Sequence, residues 1–465
     1  MFPWRASGTA CSCIMAKLLC LAFAFAGLQS GDATTTSGSI HPLPAGPSFD
    51  ANVTVSTLAG GGAGGRKCVV PGYRDGPAAQ ALFNLPARLQ AVADPGGGER
   101  LYIFDIHNGC VRSLPLGVAA AATVVRSETP CGAGSTLAHV GPDARFANGT
   151  SRGWRWIDGP LSFKVARDGA TIWAMDTYAN QLKVATRGSP SNSSPFGPWR
   201  VVAGSGDAGT VDGPGATATF YQPHGMDVAE AAGVAYVADT FSSCIRSVEL
   251  ASGAVTTIAG ECGQGGHRDA AVSGSALDAR FNHVHKVTVD PRNESVLYVS
   301  EVECSDDGPL GLADRCRSTA KGQYFAGVRR LELKPDGSVA SVTTTAGTGV
   351  GFADGDVSAA KFHYVHDVAM RPVFNGSSNS TGGAPGSTTE LFVMDDNNNR
   401  VRRVDLSTNT VSTVAGSGGY GCADGAGSKA TFANAGAVGL AVGRDGTVYV
   451  ADYGNHRIRM VKMAP

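Results

Sequence analysis

The chain has 465 residues, enough for two or three ordinary domains or for a single large repeat fold. Charged residues make up 17% of the chain and the formal net charge is −1, which excludes a strong field attracting nucleic acid or an anionic membrane surface. The 63 glycines and 23 prolines, together with 43% hydrophobic residues, exclude a disordered chain and predict many short strands joined by turns.

Residues 1–30 have the features of a secretory signal peptide. Arg5 and Lys17 precede the apolar run LLCLAFAFAGL at 18–28, which is too short to span a bilayer and contains the small-x-small motif AFA. Met15 is an alternative start, because MAKLLCLAFAFAG is the commoner signal form. We expect a secreted protein with no membrane span in the mature chain.

Cysteines and glycosylation sequons agree with secretion. Removing the signal leaves an even number of cysteines, which in an oxidising compartment predicts four disulfides. These cysteines are Cys68, Cys110, Cys131, Cys244, Cys262, Cys304, Cys316 and Cys422. Six N-x-S/T sequons predict glycosylated surface loops. They begin at Asn52, Asn148, Asn192, Asn293, Asn375 and Asn379.

A repeat organises the rest of the chain. Each copy has a Gly-rich loop, an alternating strand, a second strand that ends in an acidic residue, and a third strand that contains Arg or Lys. The acidic landmarks are Asp105, Asp176, Asp239, Glu301, Asp395 and Asp452. In the third copy GMDVAE, VAYVAD, CIRSVEL and AVTTIAG read as four short antiparallel strands. We call each copy a blade and number the blades one to six.

The ends of the chain predict how the ring of blades closes. The chain finishes on HRIRMVK, a third strand without a fourth, and VSTLAG at 55–60 is of the same type as the fourth strand VSTVAG at 411–416. We therefore expect the N-terminal strand to complete blade six, so that no free edge remains.

Three segments resemble a known repeat. YVADTFSSCIRSVEL, FVMDDNNNRVRRVDL and YVADYGNHRIRMVKM are similar to NHL repeats, in which a strand ending in Val-x-Asp precedes Asn-x-Arg-[Ile/Val]. The resemblance covers roughly residues 53–465 and implies an all-β fold, a six-bladed β-propeller, with residues 31–52 as a linker.

The repeat also predicts the disulfide pairing. Cys110 and Cys244 occupy the same repeat position, and Cys131 and Cys262 follow them by 21 and 18 residues, so a hairpin of the third and fourth strands would pair them. Cys304 and Cys316 share the insertion of blade four and are expected to pair there. Cys68 and Cys422 pair only by elimination.

Several short motifs have a simpler explanation as parts of the repeat. GSGDAG at 204–209 matches a dinucleotide fingerprint but precedes strands, so we interpret it as a connector between blades. GTSRG at 149–153 overlaps a sequon and lies in an inserted loop, which argues against a nucleophilic serine. The Asp-Gly pairs that enter the blades suit turns better than calcium sites.

Histidine recurs at one repeat position, the start of the first strand. Counting back from the acidic landmarks aligns Ala87, Leu161, His224, His285, His366 and Gly436. Such positions would surround one mouth of the central channel, where three neutral imidazoles could hold zinc and activate water. Nearby His283 and His363 are either additional ligands or surface residues, and we favour the interpretation as surface residues.

The segment FYQPH at 220–224 is similar to peptidylglycine-amidating lyases. That resemblance implies zinc held by three such histidines, although only His224 carries the full motif. The favoured hypothesis is a secreted, monomeric propeller that binds an extracellular protein or glycan. The alternative is a zinc-dependent lyase or hydrolase that uses His224, His285 and His366. No residue is assigned a catalytic role.

Overall fold

The computed structural model places six four-stranded antiparallel sheets around one axis. It describes residues 49, 52–60, 70–94, 97–118, 123–129, 131, 162–188, 195–302, 325–372, 390–433 and 439–464. All of these lie in the compact unit 45–465, and the signal peptide lies outside the described residues. Within the described part of the chain, no helix is long and apolar enough to cross a membrane.

Each sheet is one blade, and its strands follow chain order from the axis outward. Blade one has Pro86–Ala93, Glu99–Asp105, Cys110–Leu116 and Val124–Ser127. Blade two has Ser162–Val165, Thr171–Asp176, Gln181–Thr186 and Arg200–Ala203. Blade three has Gly225–Ala229, Val234–Asp239, Cys244–Glu249 and Val255–Ala259. Blade four has His283–Asp290, Asn293–Val302, Gly327–Leu333 and Val339–Ala346. Blade five has Val365–Ala369, Glu390–Asp395, Arg400–Asp405 and Thr410–Ala415.

Blade six is completed from the other end of the chain. Its first three strands are Leu440–Val442, Val448–Asp452 and Arg457–Met463, and the N-terminal strand Val53–Ala59 pairs antiparallel with the last of these. The predicted ring closure is therefore confirmed.

Short strands and 3-10 turns accompany the blades. Two-residue strands add a fifth strand outside blades one, five and six. They are Gly76–Pro77, Gly355–Asp356 and Gly425–Ala426. The described 3-10 turns are Ala78–Gln80, Ile106–Asn108, Thr240–Ser242, Ala276–Asp278 and Tyr453–Asn455. Phe49, which the sequence placed in the linker, bridges to Thr413 in the outer strand of blade five.

Side chains join the first strands of neighbouring blades. Those strands contact each other in a closed circle. The Gln90 amide of blade one donates to the Val165 carbonyl of blade two at 2.9 Å. Asp367 of blade five accepts the Leu440 N–H of blade six at 2.9 Å. Ser162, Asp227 and Thr288 make the equivalent bonds in between. These bonds satisfy polar groups that the diverging sheets leave unpaired.

In five of the six blades a buried arginine in the third strand anchors the incoming connector loop to the blade. In blade three the Arg246 guanidinium contacts Asp239 at the end of the second strand (2.9 Å) and Asp212 in the incoming Asp-Gly loop (2.7 Å). It also lies over the Phe220 ring, 5.4 Å from the centroid. Arg112, Arg329, Arg402 and Arg459 do the same in blades one, four, five and six. The landmark acids thus form ion pairs with third-strand arginines, and the Asp-Gly carboxylates of blades one, three, five and six are further partners of these arginines.

Two predicted disulfides lie within the described residues, and both form. Cys110 bonds Cys131 and Cys244 bonds Cys262, each joining the third strand of a blade to the segment that follows its fourth. Cys422 is disulfide-bonded as well. Its predicted partner Cys68 lies outside the described residues, as do Cys304 and Cys316.

Candidate site at the axis of the ring

Three histidines meet where the first strands of blades three, four and five begin. A β-bulge in blade four, between Val284 and Lys286, places His285 outside the regular ladder. The same irregularity in blade five, between Val365 and Asp367, places His366 outside the ladder as well. Because a bulge changes the direction of a side chain, both imidazoles depart from the regular alternation of side chains between the two faces of the sheet. His224 occupies the equivalent position in blade three, where its backbone N–H donates to the Ala238 carbonyl.

The three imidazoles form a compact buried row. The ring centroids of His224 and His285 are 4.6 Å apart, and those of His285 and His366 are 4.8 Å apart. The side chains are closed off, because the three residues are only 8%, 3% and 1% exposed. The structure therefore brings together the three histidines that the sequence aligned. Of the other aligned positions, Leu161 and Gly436 lie outside the described residues.

Aromatic side chains that the sequence did not single out enclose this row. Tyr364 packs edge-on against His366 with centroids 4.6 Å apart, and it holds a left-handed φ of 75°. Phe241 packs against His224 at 5.8 Å and against His283 at 5.2 Å. His283 is 4% exposed, so its interpretation as a surface residue was wrong. His363, two residues before Tyr364, is partly buried. The sequence signal for Tyr364 is its place two residues before His366.

Burial determines the protonation state of His224 and His285. Desolvation, and then the nearby His366, lowers the pKa of His224 well below 6.5. Desolvation and the neighbouring imidazoles lower the pKa of His285 in the same way. Both rings are therefore neutral at pH 7. The His366 Nδ1 lies 3.1 Å from the Asp396 carboxylate, and both side chains are 2% exposed.

The row meets some requirements of a zinc site and not others. The Nδ1 atoms of His224 and His285 are 3.5 Å apart, close to the separation of roughly 3.3 Å for two nitrogens bound to tetrahedral zinc. A carboxylate beside a histidine is also a common support for a metal ligand. Among the described residues, however, no group of three or more His, Cys, Asp or Glu is arranged to hold a metal ion. Zinc binding stays a prediction of the sequence.

The first strands of the six blades surround a cavity of about 130 Å³. Charged side chains from the first strands of five blades line it. These are Arg88, Lys164, Asp227, Lys286 and Asp367. No sequence motif predicted this cavity, because the residues at equivalent positions of the blades differ in chemical type.

Two sequons can be placed on the surface. Asn52 precedes the N-terminal strand and Asn293 begins the second strand of blade four, and both are exposed. Their use for glycosylation stays a prediction. Asn148, Asn192, Asn375 and Asn379 lie outside the described residues.

Comparison with known proteins agrees with this architecture. The NHL repeat family model matches residues 434–459, which contain the second strand of blade six and the start of its third. The chain is a six-bladed β-propeller that carries an NHL repeat. Human NHL repeat-containing protein 2 is 25% identical to this NHL-repeat propeller over 366 residues, which are 74% of the chain and 42% of that protein. Arabidopsis thaliana SUPPRESSOR OF QUENCHING 1, a chloroplastic protein, is 23% identical over 288 residues, 56% of the chain and 27% of that protein. The propeller thus spans less than half the length of these curated relatives.

Solved structures share the fold at low identity. An auxiliary nutrient binding protein from Bacteroides thetaiotaomicron has a TM-score of 0.57 at 13% identity, covering 88% of this chain and 76% of its own. One from Bacteroides ovatus has a TM-score of 0.55 at 15% identity, covering 89% and 77%. At these identities the likeness concerns the fold alone.

Proposed function

We propose that this NHL-repeat propeller is a secreted binding protein whose connector loops hold an extracellular protein or glycan. The two disulfides support an oxidising compartment, because such bonds are rare in the cytosol. Two propellers of similar structure are auxiliary nutrient binding proteins, which is consistent with this use of the fold.

One observation carries the proposal: the connector loops expose large apolar side chains while their backbones are anchored. Tyr73, Val211 and Tyr420 are 51%, 58% and 68% exposed, and each lies in a loop that enters a blade. The carbonyl of Val211 accepts from the buried guanidinium of Arg246 at 3.0 Å. Arg112 and Arg459 hold the loops of Tyr73 and Tyr420 through neighbouring carbonyls.

Anchored loops with exposed aromatic residues suit recognition. A rigid loop loses little conformational entropy when it binds, and tyrosine contributes a large contact area with few rotatable bonds. Isolated apolar residues on a surface are ordinary, but these three recur at one kind of place, the arginine-anchored connectors.

The zinc-dependent lyase or hydrolase remains the second candidate, and the convergence of His224, His285 and His366 favours it. Against it, these side chains are at most 8% exposed and packed against each other, which leaves a substrate little access.

The proposal can be tested with protein secreted from cultured eukaryotic cells. Purified propeller is screened against immobilised extracellular matrix proteins and a glycan array, and the dissociation constant for each hit is measured. We expect a saturable ligand whose affinity falls at least tenfold, about 1.4 kcal/mol, in Tyr420→Ala or Tyr73→Ala. The matched control is Val118→Ala, because Val118 is 46% exposed but lies after the third strand of blade one, away from the connectors. A full panel without a ligand, or equal losses in Val118→Ala, would contradict the proposal.

A further inference from the structure

The axial cavity is bounded entirely by the first strands and the residues directly after them. It extends from Arg88 to Pro291 and Pro372, which lie just beyond the ends of the first strands of blades four and five. Its volume of about 130 Å³ is several times the space of about 10–15 Å³ that one water molecule needs. A ligand group of a few heavy atoms therefore fits.

Four of its five charges are neutralised in pairs. The Lys164 ammonium lies 2.7 Å from Asp227, and the Arg88 guanidinium lies 3.4 Å from Asp367. Both carboxylates also accept hydrogen bonds from the backbone. Asp227 accepts one from the N–H of Val289, and Asp367 accepts one from the N–H of Leu440. These acids have little remaining capacity to accept further bonds.

Lys286 is the fifth charge, and it forms no ion pair within the described residues, although the Asp227 and Asp367 carboxylates favour its charged form at longer range. Its ammonium donates to the Met226 carbonyl at 2.7 Å, and no carboxylate in the described part of the chain lies within 4 Å of it. An ammonium has three donors, so two remain for a ligand. A cation withdrawn from water normally gains a counter-charge, because desolvation without one is costly.

We infer that the axial cavity is a binding site for one carboxylate-bearing ligand, with Lys286 as the counter-charge of its carboxylate. One surplus positive charge matches a monoanion, whereas the two fixed acids, Asp227 and Asp367, oppose a dianion such as sulfate. The volume admits the carboxylate and the few atoms attached to it, either of a free small acid or of an acidic sugar unit.

This site is separate from the connector loops of the proposed function. Tyr420 lies in the loop entering blade six and does not line the cavity. The two proposals can therefore fail independently.

Titration calorimetry in a carboxylate-free buffer tests the inference. The probes are acetate, its neutral isostere acetamide, sulfate and D-glucuronate. We expect acetate or glucuronate to bind wild-type protein with one site, and acetamide and sulfate to bind at least tenfold more weakly. Tighter binding of glucuronate than of acetate would identify a sugar acid as the source, and the reverse order a free small acid. If neither carboxylate binds, or if sulfate binds best, the inference is overturned without recourse to any variant.

Variants then assign the site. Lys286→Met and Lys286→Gln should each weaken carboxylate binding at least tenfold, while Lys462→Met, at an exposed lysine of blade six, should leave it unchanged. Far-UV circular dichroism and thermal melting show whether each variant is folded. Unchanged binding in a folded Lys286 variant would place the carboxylate elsewhere and refute the assignment.

Discussion

His456 performs in blade six the structural role of Asn180 in blade two. Each ends the turn before a third strand with a left-handed φ, 55° and 51°. The His456 Nδ1 accepts a hydrogen bond from the backbone N–H of Leu85 at 2.9 Å. The side-chain Oδ1 of Asn180 accepts one from the backbone N–H of Gln222 at 2.8 Å. Desolvation, and then the nearby His107, lowers the pKa of His456 to about 4. The neutral ring is required because a protonated Nδ1 cannot accept.

We predict that His456→Asn reduces the loss of stability at low pH. The pKa of histidine is about 6.5 in an unfolded chain, so between pH 6.5 and 4 the unfolded protein binds a proton that the folded protein excludes. The stability from this group is present above pH 6.5 and lost as the pH falls towards 4. Asparagine keeps the acceptor without titrating, so Tm of the variant minus Tm of the wild type should rise between pH 7.5 and pH 5.

The comparison with the variant removes an opposing effect. Burial raises the pKa of Asp105, Asp239 and Asp395 to about 6, which favours the folded state as the pH falls. These groups are common to both proteins and cancel in the difference. A Tm difference that stays constant with pH would contradict the assigned role of His456.

Residue-level prediction from the sequence succeeded where a role repeats. His224, His285 and His366 could be aligned because they share one position counted from an acidic landmark. The role of His456 could not be predicted, because it depends on a contact with Leu85, 371 residues away. Tyr364 was missed for a similar reason: its packing depends on a backbone φ that the sequence does not reveal.

At the scale of elements, a buried arginine connects five of the six blades to the loop before them. Arg246 is fully buried between Asp239 and Asp212, and it has the Phe220 ring on one side. Blade two substitutes Lys183, whose ammonium keeps the contact with Asp176 at 2.6 Å. Lysine is a point charge, whereas the planar guanidinium contacts two carboxylates and two carbonyls together.

We predict that Arg246→Met lowers the free energy of unfolding by about 3–5 kcal/mol, because it leaves the buried Asp239 carboxylate without its counter-charge. Arg246→Lys should cost less than half as much, since blade two shows that an ammonium can serve. Urea unfolding at pH 7.5 measures both, with Arg126→Met at an exposed position as the control. A cost below about 1 kcal/mol, or equal costs for the two variants, would refute the anchor.

Half of this anchor is visible in the sequence, because each copy of the repeat has a landmark acid and a basic residue in the next strand. The two are seven residues apart in five blades, as Asp239 and Arg246 are, and 28 apart in blade four, where an insertion separates Glu301 from Arg329. The second carboxylate, Asp212, is 34 residues away in a loop whose path the strand pattern does not define. The Asp-Gly pairs were therefore recognised as turns, but their bond to arginine was not.

For the whole molecule, two features close the ring. The N-terminal strand of blade six was predictable, because its sequence type matched the fourth strand of blade five. The side-chain bonds between first strands were not, since Gln90, Ser162, Asp227, Thr288 and Asp367 share a structural role without sharing chemistry. The same diversity concealed the cavity that these residues line.

We propose that the propeller binds ligands and that the buried histidines of its axis pack against each other without holding a metal. The most direct test is the zinc content of the secreted, purified protein, measured by mass spectrometry in wild type, His224→Ala and the control His456→Asn. We predict well under one zinc per chain in all three proteins. One zinc per chain in wild type and His456→Asn, lost in His224→Ala, would contradict the claim and favour the lyase or hydrolase.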